Sequence, residues 1–193
     1  MKAIFLDRDG TINEDVNYLC RKSDIKILDG VIESLKSFRE LGFLNIIVTN
    51  QSAVARGMIT PGQLHEIHEA FNLALTSEGK KLIDDIYYSP YHPDGKIGKY
   101  SIVHPDTKPG IGMLLKAKEK YNLDFEQCYM IGDMPRDIET GNRAGVKSIL
   151  IGAQSIDECK QKNLSVVYVA RDLSDACDYI YKKITGHSRD TKV

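Results

Sequence analysis

KAIFLDRDGTIN (residues 2–13) decides how the rest of the chain is read. Its opening, KAIFL, is a short apolar run that stops at Asp7, the pattern of a buried strand. Outward from it, Val31, Leu35, Phe38 and Leu41 fall at spacings of four, three and three. That is one face of a helix over residues 30–41, with Gly42 as its stop. FLNIIVT (43–49) is apolar and β-branched and reads as a second strand. Thr60 and Pro61 cap and open a helix expected to reach about Ser77, and LIDDIYYS (82–89) is a third strand. Residues 89–109 hold four of the six prolines and read as a long loop. Pro109-Gly110 is expected to open a helix through Tyr121. CYMIGD (128–133), VKSILIG (146–152) and VVYVA (166–170) are further strands. A short helix over 136–145 separates the first two, and an amphipathic helix over roughly 172–184 follows the last. Strands alternating with single helices predict an α/β fold, a doubly wound and mainly parallel sheet of Rossmann-like order. Ligands of such sheets sit beyond the carboxyl ends of the strands.

Composition narrows the function classes. A length of 193 residues fits one domain, expected over residues 1–185, with 186–193 as a flexible tail. Hydrophobic residues at 42% and charged residues at 27% allow a substantial core and exclude disorder. Lys and Arg total 26 against 27 Asp and Glu, so no basic excess exists to bind nucleic acid or a membrane surface. No apolar run is long enough to span a bilayer, and acid appears too early for a signal peptide. The four cysteines are far apart and contain no C-x-x-C pair, which points to reduced thiols and a cytoplasmic protein. The balanced charge is compatible with a monomer or a small homo-oligomer.

Polar residues gather just after the strands. Asp7, Arg8, Asp9, Gly10 and Thr11 follow the first, Thr49, Asn50, Gln51 and Ser52 end the second, and Lys108 closes the long loop. Gly132 and Asp133 end the fourth, with Asp137 four residues on. On extended backbone, Asp7 and Asp9 place their carboxylates on the same side, where they repel unless a cation intervenes. Asp133 adds a third oxygen ligand, and Mg²⁺ suits such a set beside a substrate phosphate. A carboxylate can attack a phosphate monoester once its charge is screened, and Lys108 and the Thr49 hydroxyl are suited to hold the phosphoryl oxygens. A single D-x-D is more often a turn or a helix cap; four such elements in this order point to a phosphate site.

FLDRDGTIN (5–13), VTNQS (48–52), TKPG (107–110) and MIGDMPRD (130–137) resemble the four motifs of the haloacid dehalogenase-like phosphohydrolases, in order and spacing, from Lys2 to about Gly152. FLDRDGTIN followed by VTNQSAVARG (48–57) is similar to the heptose 1,7-bisphosphate phosphatase group and its histidinol-phosphatase relatives. The resemblance implies a Mg²⁺-dependent phosphatase acting on a small phosphorylated sugar through an aspartyl-phosphate, with the 7-phosphate of the heptose bisphosphate as its target. It implies Asp7 as nucleophile, Asp9 as general acid and base, and Thr49 and Lys108 as phosphoryl-holding groups. It implies Asp7, the Asp9 main-chain carbonyl and Asp133 as Mg²⁺ ligands, with Asp137 orienting Lys108 or a metal-bound water. Substrate contacts are expected from Arg8, Asp15, Tyr18, Asn50, Gln51, Ser52, Arg56, Thr107 and Lys108. The 40 residues from Asp9 to Thr49 and the 59 from Thr49 to Lys108 are filled by single elements and loops, so a capless core is expected.

The long loop departs from that group, whose members often bind zinc there through C-x-H…C-x-C-R-K-P. Ser89, Tyr91, His104 and Asp106 stand at the ligand positions, and Thr107 replaces the arginine. No thiolate remains, and zinc is not expected in the loop; His92 and His104 are read as shaping turns or touching substrate. Threonine cannot read phosphate bidentately, so the second phosphate or the anomer is handled differently here. His65 and His68 are read as a solvated helix face. Two rival classes use similar residues, a receiver-like domain that stores a phosphoryl group on aspartate and an inactive hydrolase-like scaffold.

Overall fold

A computed structural model of the chain describes residues 1–189. The apolar run after Met1 forms β1 (Lys2–Leu6), and α1 (Val31–Glu40) leads through the left-handed Gly42 into β2 (Phe43–Asn50). Thr60 caps α2 (Pro61–Ala74): its hydroxyl accepts from Gln63 N, while the Gln63 side chain accepts from Thr60 N. A small hairpin of β3 (Thr76–Ser77) and β4 (Lys80–Lys81) precedes β5 (Asp85–Ser89). Then come α3 (Gly112–Tyr121), β6 (Tyr129–Gly132), α4 (Pro135–Ala144) and β7 (Lys147–Ile151). The fold closes with α5 (Ile156–Gln161), β8 (Tyr168–Ala170) and α6 (Leu173–Thr185), the last capped by Asp172.

Six strands pair in the order β5-β2-β1-β6-β7-β8, all parallel. Alternate side chains of each strand face opposite layers. Ile4, Leu6 and Ile47 pack with α1, α6 and the end of α2, whereas Ala3, Phe5, Ile46 and Val48 pack with α3. Ile138 of α4, Leu150 of β7 and Cys159 of α5 complete the second layer. The sheet is therefore covered on both faces, as the near-continuous apolar strands require. Strand order reverses between β1 and β6, which opens a crevice at their carboxyl ends. No helix among the described residues is long and apolar enough to cross a membrane.

Two helix boundaries and one further helix differ most from the sequence reading. Helix α2 stops at Ala74, because Glu78 and Gly79 both take positive φ and turn the hairpin. Helix α3 begins at Gly112 rather than Pro109, since Gly110 N and Gly112 N donate to Thr107 O and Pro105 O and hold that stretch in a turn. Helix α5 was not anticipated at all. In the expected tail, the Arg189 side chain reaches Ser37, Ser174 and Asp178, and residues 190–193 lie outside the described residues.

His68 also departs from expectation. It is buried at 6% exposure, its ring 5.0 Å from that of Tyr88, while His65 is exposed. Burial, helped by the Arg8 charge, pushes its pKa down to about 3. The folded protein keeps His68 neutral while the unfolded chain protonates it below about 6.5, so the unfolded state binds the extra proton. Stability should fall as pH drops from about 6.5 toward 3, by roughly 1.4 kcal/mol per unit from this group. Urea melts at pH 7 and 4.5 should show the wild type losing about 2–3 kcal/mol more than His68→Phe. Parallel losses in the two proteins would refute the assignment.

Candidate active site

Asp7 and Asp133 stand at the crevice because they are the residues after β1 and β6. Asp7 N donates to Ile131 O at 2.9 Å, which ties the two strand ends together. Just beyond, Gly10 turns the chain with φ +79°, and a Cβ there would lie 2.5 Å from Asp133 Oδ2. Gly132 makes similar room for Asp137, whose Cβ would be 2.5 Å from an added methyl group. These two glycines let carboxylates press against backbone. Gly10→Ala should cost about 1–2 kcal/mol of stability for its left-handed φ and displace Asp133. A thermal melt and a crystal structure of the variant should show the lost stability and the moved carboxylate; an Asp133 left in place would refute the crowding argument.

Carboxylate oxygens of Asp7, Asp133 and Asp137 lie within 4.8 Å of one another. Lys108, fully buried in its side chain, sits between two of them, its Nζ 2.8 Å from Asp7 Oδ1 and 2.6 Å from Asp137 Oδ1. Burial alone would lower its pKa, but Asp137 and Asp7 overcome that and keep the ammonium charged. Asp137 Oδ2 accepts from Met134 N at 3.0 Å, so both of its oxygens are engaged. Asp133 differs: its Oδ1 is buried with no hydrogen-bond partner. Burial and the charges of Asp7 and Asp137 raise its pKa to about 7. Three carboxylates against one ammonium, with a buried oxygen unpartnered, form an all-oxygen donor set that fits a hard divalent cation such as Mg²⁺.

Asp9 lines the same cleft as Asp7, but its carboxylate is not among the three that gather there, Asp7, Asp133 and Asp137. The chain leaves extended conformation after Leu6, with Ile12 N and Asn13 N both donating to Arg8 O. Asp9 instead faces Arg8, which binds it with Nε to Oδ1 at 3.0 Å and Nη2 to Oδ2 at 2.8 Å. Asp9 still lines the cleft, but Arg8 does not, and its expected substrate contact is corrected: the guanidinium is fully buried. Gln51 donates Nε2 to Asp9 Oδ2 at 3.0 Å and to Thr49 Oγ1 at 2.9 Å.

The cleft over these groups has a volume of about 520 Å³. Asp15, Tyr18, Asn50, Gln51, Ser52 and Arg56 line it, as do Asp7, Thr49, Thr107 and Lys108. Asn50 spends its amide group on the backbone of Lys108, accepting from Lys108 N at 2.9 Å and donating to Lys108 O at 3.1 Å. It clamps the lysine loop onto β2. Arg56 lies 5.8 Å from the Tyr18 ring and 3.3 Å from His92 Nε2. Arg136 lines the cleft too and was missed, although its place one residue before Asp137, in the first turn of α4, could have revealed it.

The long loop is held by its own side chains. Tyr91 and His104 stack with centroids 3.9 Å apart, and Asp106 pairs with Lys116. Ser89 and Thr107 share a hydroxyl hydrogen bond of 2.6 Å, and the loop docks through Lys96 N and Ile97 N onto Ala55 O. Among the described residues, the carboxylates of Asp7, Asp133 and Asp137 form the one group gathered closely enough to hold a metal.

Residues 106–176 match the HAD-hydrolase-like family model. Over 144 residues, 75% of this chain and 76% of its relative, the chain is 40% identical to D-glycero-beta-D-manno-heptose-1,7-bisphosphate 7-phosphatase of Yersinia pestis. The enzyme of that name from Haemophilus influenzae is 40% identical over 146 residues, 76% of this chain and 78% of that one. Among solved structures, the fold is similar to D,D-heptose 1,7-bisphosphate phosphatase from B. bronchiseptica, complexed with magnesium and phosphate. That match has a TM-score of 0.81 and 26% identity, covering 95% of this chain and 99% of the other. A putative HAD-like phosphatase from Mesorhizobium loti aligns with a TM-score of 0.82 and 29% identity, over 100% of this chain and 90% of the other.

Proposed function

This chain belongs to the haloacid dehalogenase-like hydrolases, and on that premise we propose that it removes the 7-phosphate from D-glycero-beta-D-manno-heptose 1,7-bisphosphate, with Mg²⁺ as cofactor and Asp7 as nucleophile. It is a phosphoric monoester hydrolase, and the receiver-like and scaffold readings are set aside by the family. The observation that carries the proposal is the meeting of Asp7, Asp133 and Asp137 around Lys108, with Asp7 and Lys108 lining the cleft.

Asp7, Asp133 and the Asp9 main-chain carbonyl would hold Mg²⁺, which when bound screens the charge between the attacking carboxylate and the phosphate. Lys108 draws one phosphoryl oxygen and is itself aimed by Asp137, 2.6 Å away. The Thr49 hydroxyl accepts from Gln51, so its own proton is free to donate to a second phosphoryl oxygen. An Asp7 oxygen forms a bond to phosphorus as the bond to the sugar oxygen breaks, and that oxygen takes a proton from the Asp9 carboxyl group. Water then attacks phosphorus, Asp7 departs as carboxylate, and Asp9 takes up the proton that water releases. Arg56 and Arg136 offer positive charge along the cleft to the remainder of the substrate.

A small phosphorylated sugar is the only partner this chemistry needs. We place the reaction in the cytoplasm, where the four unpaired cysteines suit a reducing medium. Phosphate release should be assayed with Mg²⁺ on both anomers of the heptose bisphosphate, other sugar phosphates and histidinol phosphate. The expected result is a kcat/KM for the β-anomer at least about tenfold above every other member, a gap of about 1.4 kcal/mol in transition-state binding. Preference for histidinol phosphate would replace the substrate, and chelation should abolish every activity.

A further inference from the structure

Arg8 is the largest fully buried side chain of the described residues, and a buried guanidinium needs a reason. It lies outside the cleft wall to which Asp9 belongs. One of its nitrogens, Nη1, has no hydrogen-bond partner, and the guanidinium stands 5.8 Å from the Phe71 ring centroid. Its polar partners are few and specific. Nε and Nη2 donate to the two oxygens of Asp9, and Nη2 also donates to Gln51 Oε1 at 2.9 Å. Gln51 turns its amide nitrogen to Asp9 Oδ2 and to Thr49 Oγ1.

The donors are shared unequally between the two oxygens of Asp9. Oδ2 accepts from Arg8 Nη2 and from Gln51 Nε2, which fills both of its lone-pair directions. Oδ1 accepts from Arg8 Nε alone and keeps one direction open. We propose that Arg8 and Gln51 are positioning residues that lock the Asp9 carboxyl group in one orientation and make Oδ1 the atom that passes a proton to the departing sugar oxygen. Gln51 further couples this proton carrier to Thr49, so the group that protonates the leaving oxygen and a group that holds the phosphoryl oxygens share one frame. The inference rests on the acid–base reading of Asp9 given above.

Leaving-group chemistry isolates the effect. A sugar alkoxide must be protonated as it leaves, whereas p-nitrophenolate departs without help, so only the first depends on a well-aimed proton donor. The ratio of kcat/KM for the heptose bisphosphate to that for p-nitrophenyl phosphate should fall by about 100-fold in Arg8→Met and at least about tenfold in Gln51→Met. Arg8→Lys, which can reach one oxygen but not grip both, should rescue part of the ratio. A crystal structure of Arg8→Lys should show the Asp9 carboxyl group turned from its present direction. In an Asp9→Asn background neither change should alter the ratio further.

Should Arg8→Met fail to fold, Gln51→Met and Arg8→Lys carry the comparison. Equal losses on both substrates, or further loss in the Asp9→Asn background, would overturn the proposal. If the wild type hydrolyses p-nitrophenyl phosphate but prefers another sugar phosphate, only the substrate reading falls, and that sugar phosphate takes the heptose's place in the ratio. If it hydrolyses none of these esters, both readings fall together.

Discussion

Asp7→Asn is expected to abolish turnover, lowering kcat by on the order of 10⁴–10⁶, the range seen when a nucleophile that acts within a concerted unit is removed. An amide oxygen is a poor nucleophile toward phosphorus, and the other carboxylates have different work: Asp137 is held by Lys108 and Met134 N, Asp9 by Arg8 and Gln51, and Asp133 is proposed to hold Mg²⁺. The fold should survive. Asp7 Oδ1 accepts from Arg8 N at 2.7 Å and faces Lys108 Nζ at 2.8 Å, and the amide oxygen of asparagine can accept in both directions. One negative charge also leaves a cluster that holds three carboxylates against one ammonium. The melting temperature in metal-free buffer should therefore equal or exceed that of the wild type. Phosphate release measured beside a thermal melt separates the two effects. A folded variant that retains near wild-type turnover would remove Asp7 from the nucleophile's role.

How much of this was legible depends on the kind of signal each residue leaves. Strands β1, β2, β6 and β7 announce themselves because burial on both faces demands unbroken apolar runs, and the acids that follow β1 and β6 mark where those runs stop. Asp7, Asp133, Asp137 and Lys108 could thus be placed near one another before any coordinates. The orientation of Asp9 could not. It depends on a turn whose bend is set by the left-handed Gly10 and by two N–H groups converging on Arg8 O, and period-two alternation ends where that turn begins. Arg8 is expected at the substrate from the resemblance alone, and its burial follows from packing near Phe71 and His68 of α2, far away in sequence. His68 did leave a trace. Leu64, Ile67, His68, Phe71 and Leu75 form one stripe at helical spacing, and the buried histidine is its single polar member. The hairpin of β3 and β4 was hidden by helical periodicity that runs on toward Leu75, although Glu78-Gly79 is a plausible two-residue turn.

Lys108→Met tests the site from its other charge. The ammonium is the cation that Asp7 and Asp137 share, and its side chain is wholly buried. Methionine fills similar volume, so lost packing is small and the change is electrostatic. Removing one partner of a buried ion pair costs about 3–5 kcal/mol, because the charges left behind have neither solvent nor counterion. Here they are two carboxylates with a third, Asp133, within 4.8 Å. In metal-free buffer the variant should therefore lose about 3–5 kcal/mol of stability. Activity should fall by about 10²–10³ even under conditions where the protein is folded, since the proposed charged donor to the phosphoryl oxygens is gone. A bound dication restores positive charge to the cluster and stabilises the folded state by an amount set by its concentration over its dissociation constant, about 2.7 kcal/mol at a hundredfold excess. With the lysine absent the carboxylates attract the ion more strongly, so Mg²⁺ should raise the melting temperature of Lys108→Met more than that of the wild type. Lys108→Arg should not rescue activity, because a planar fork cannot occupy the point between Asp7 and Asp137 that the ammonium fills. Melts with and without Mg²⁺, run beside phosphate release, decide the matter: a methionine variant with wild-type stability and activity within about tenfold would mean that Lys108 does not hold this site together.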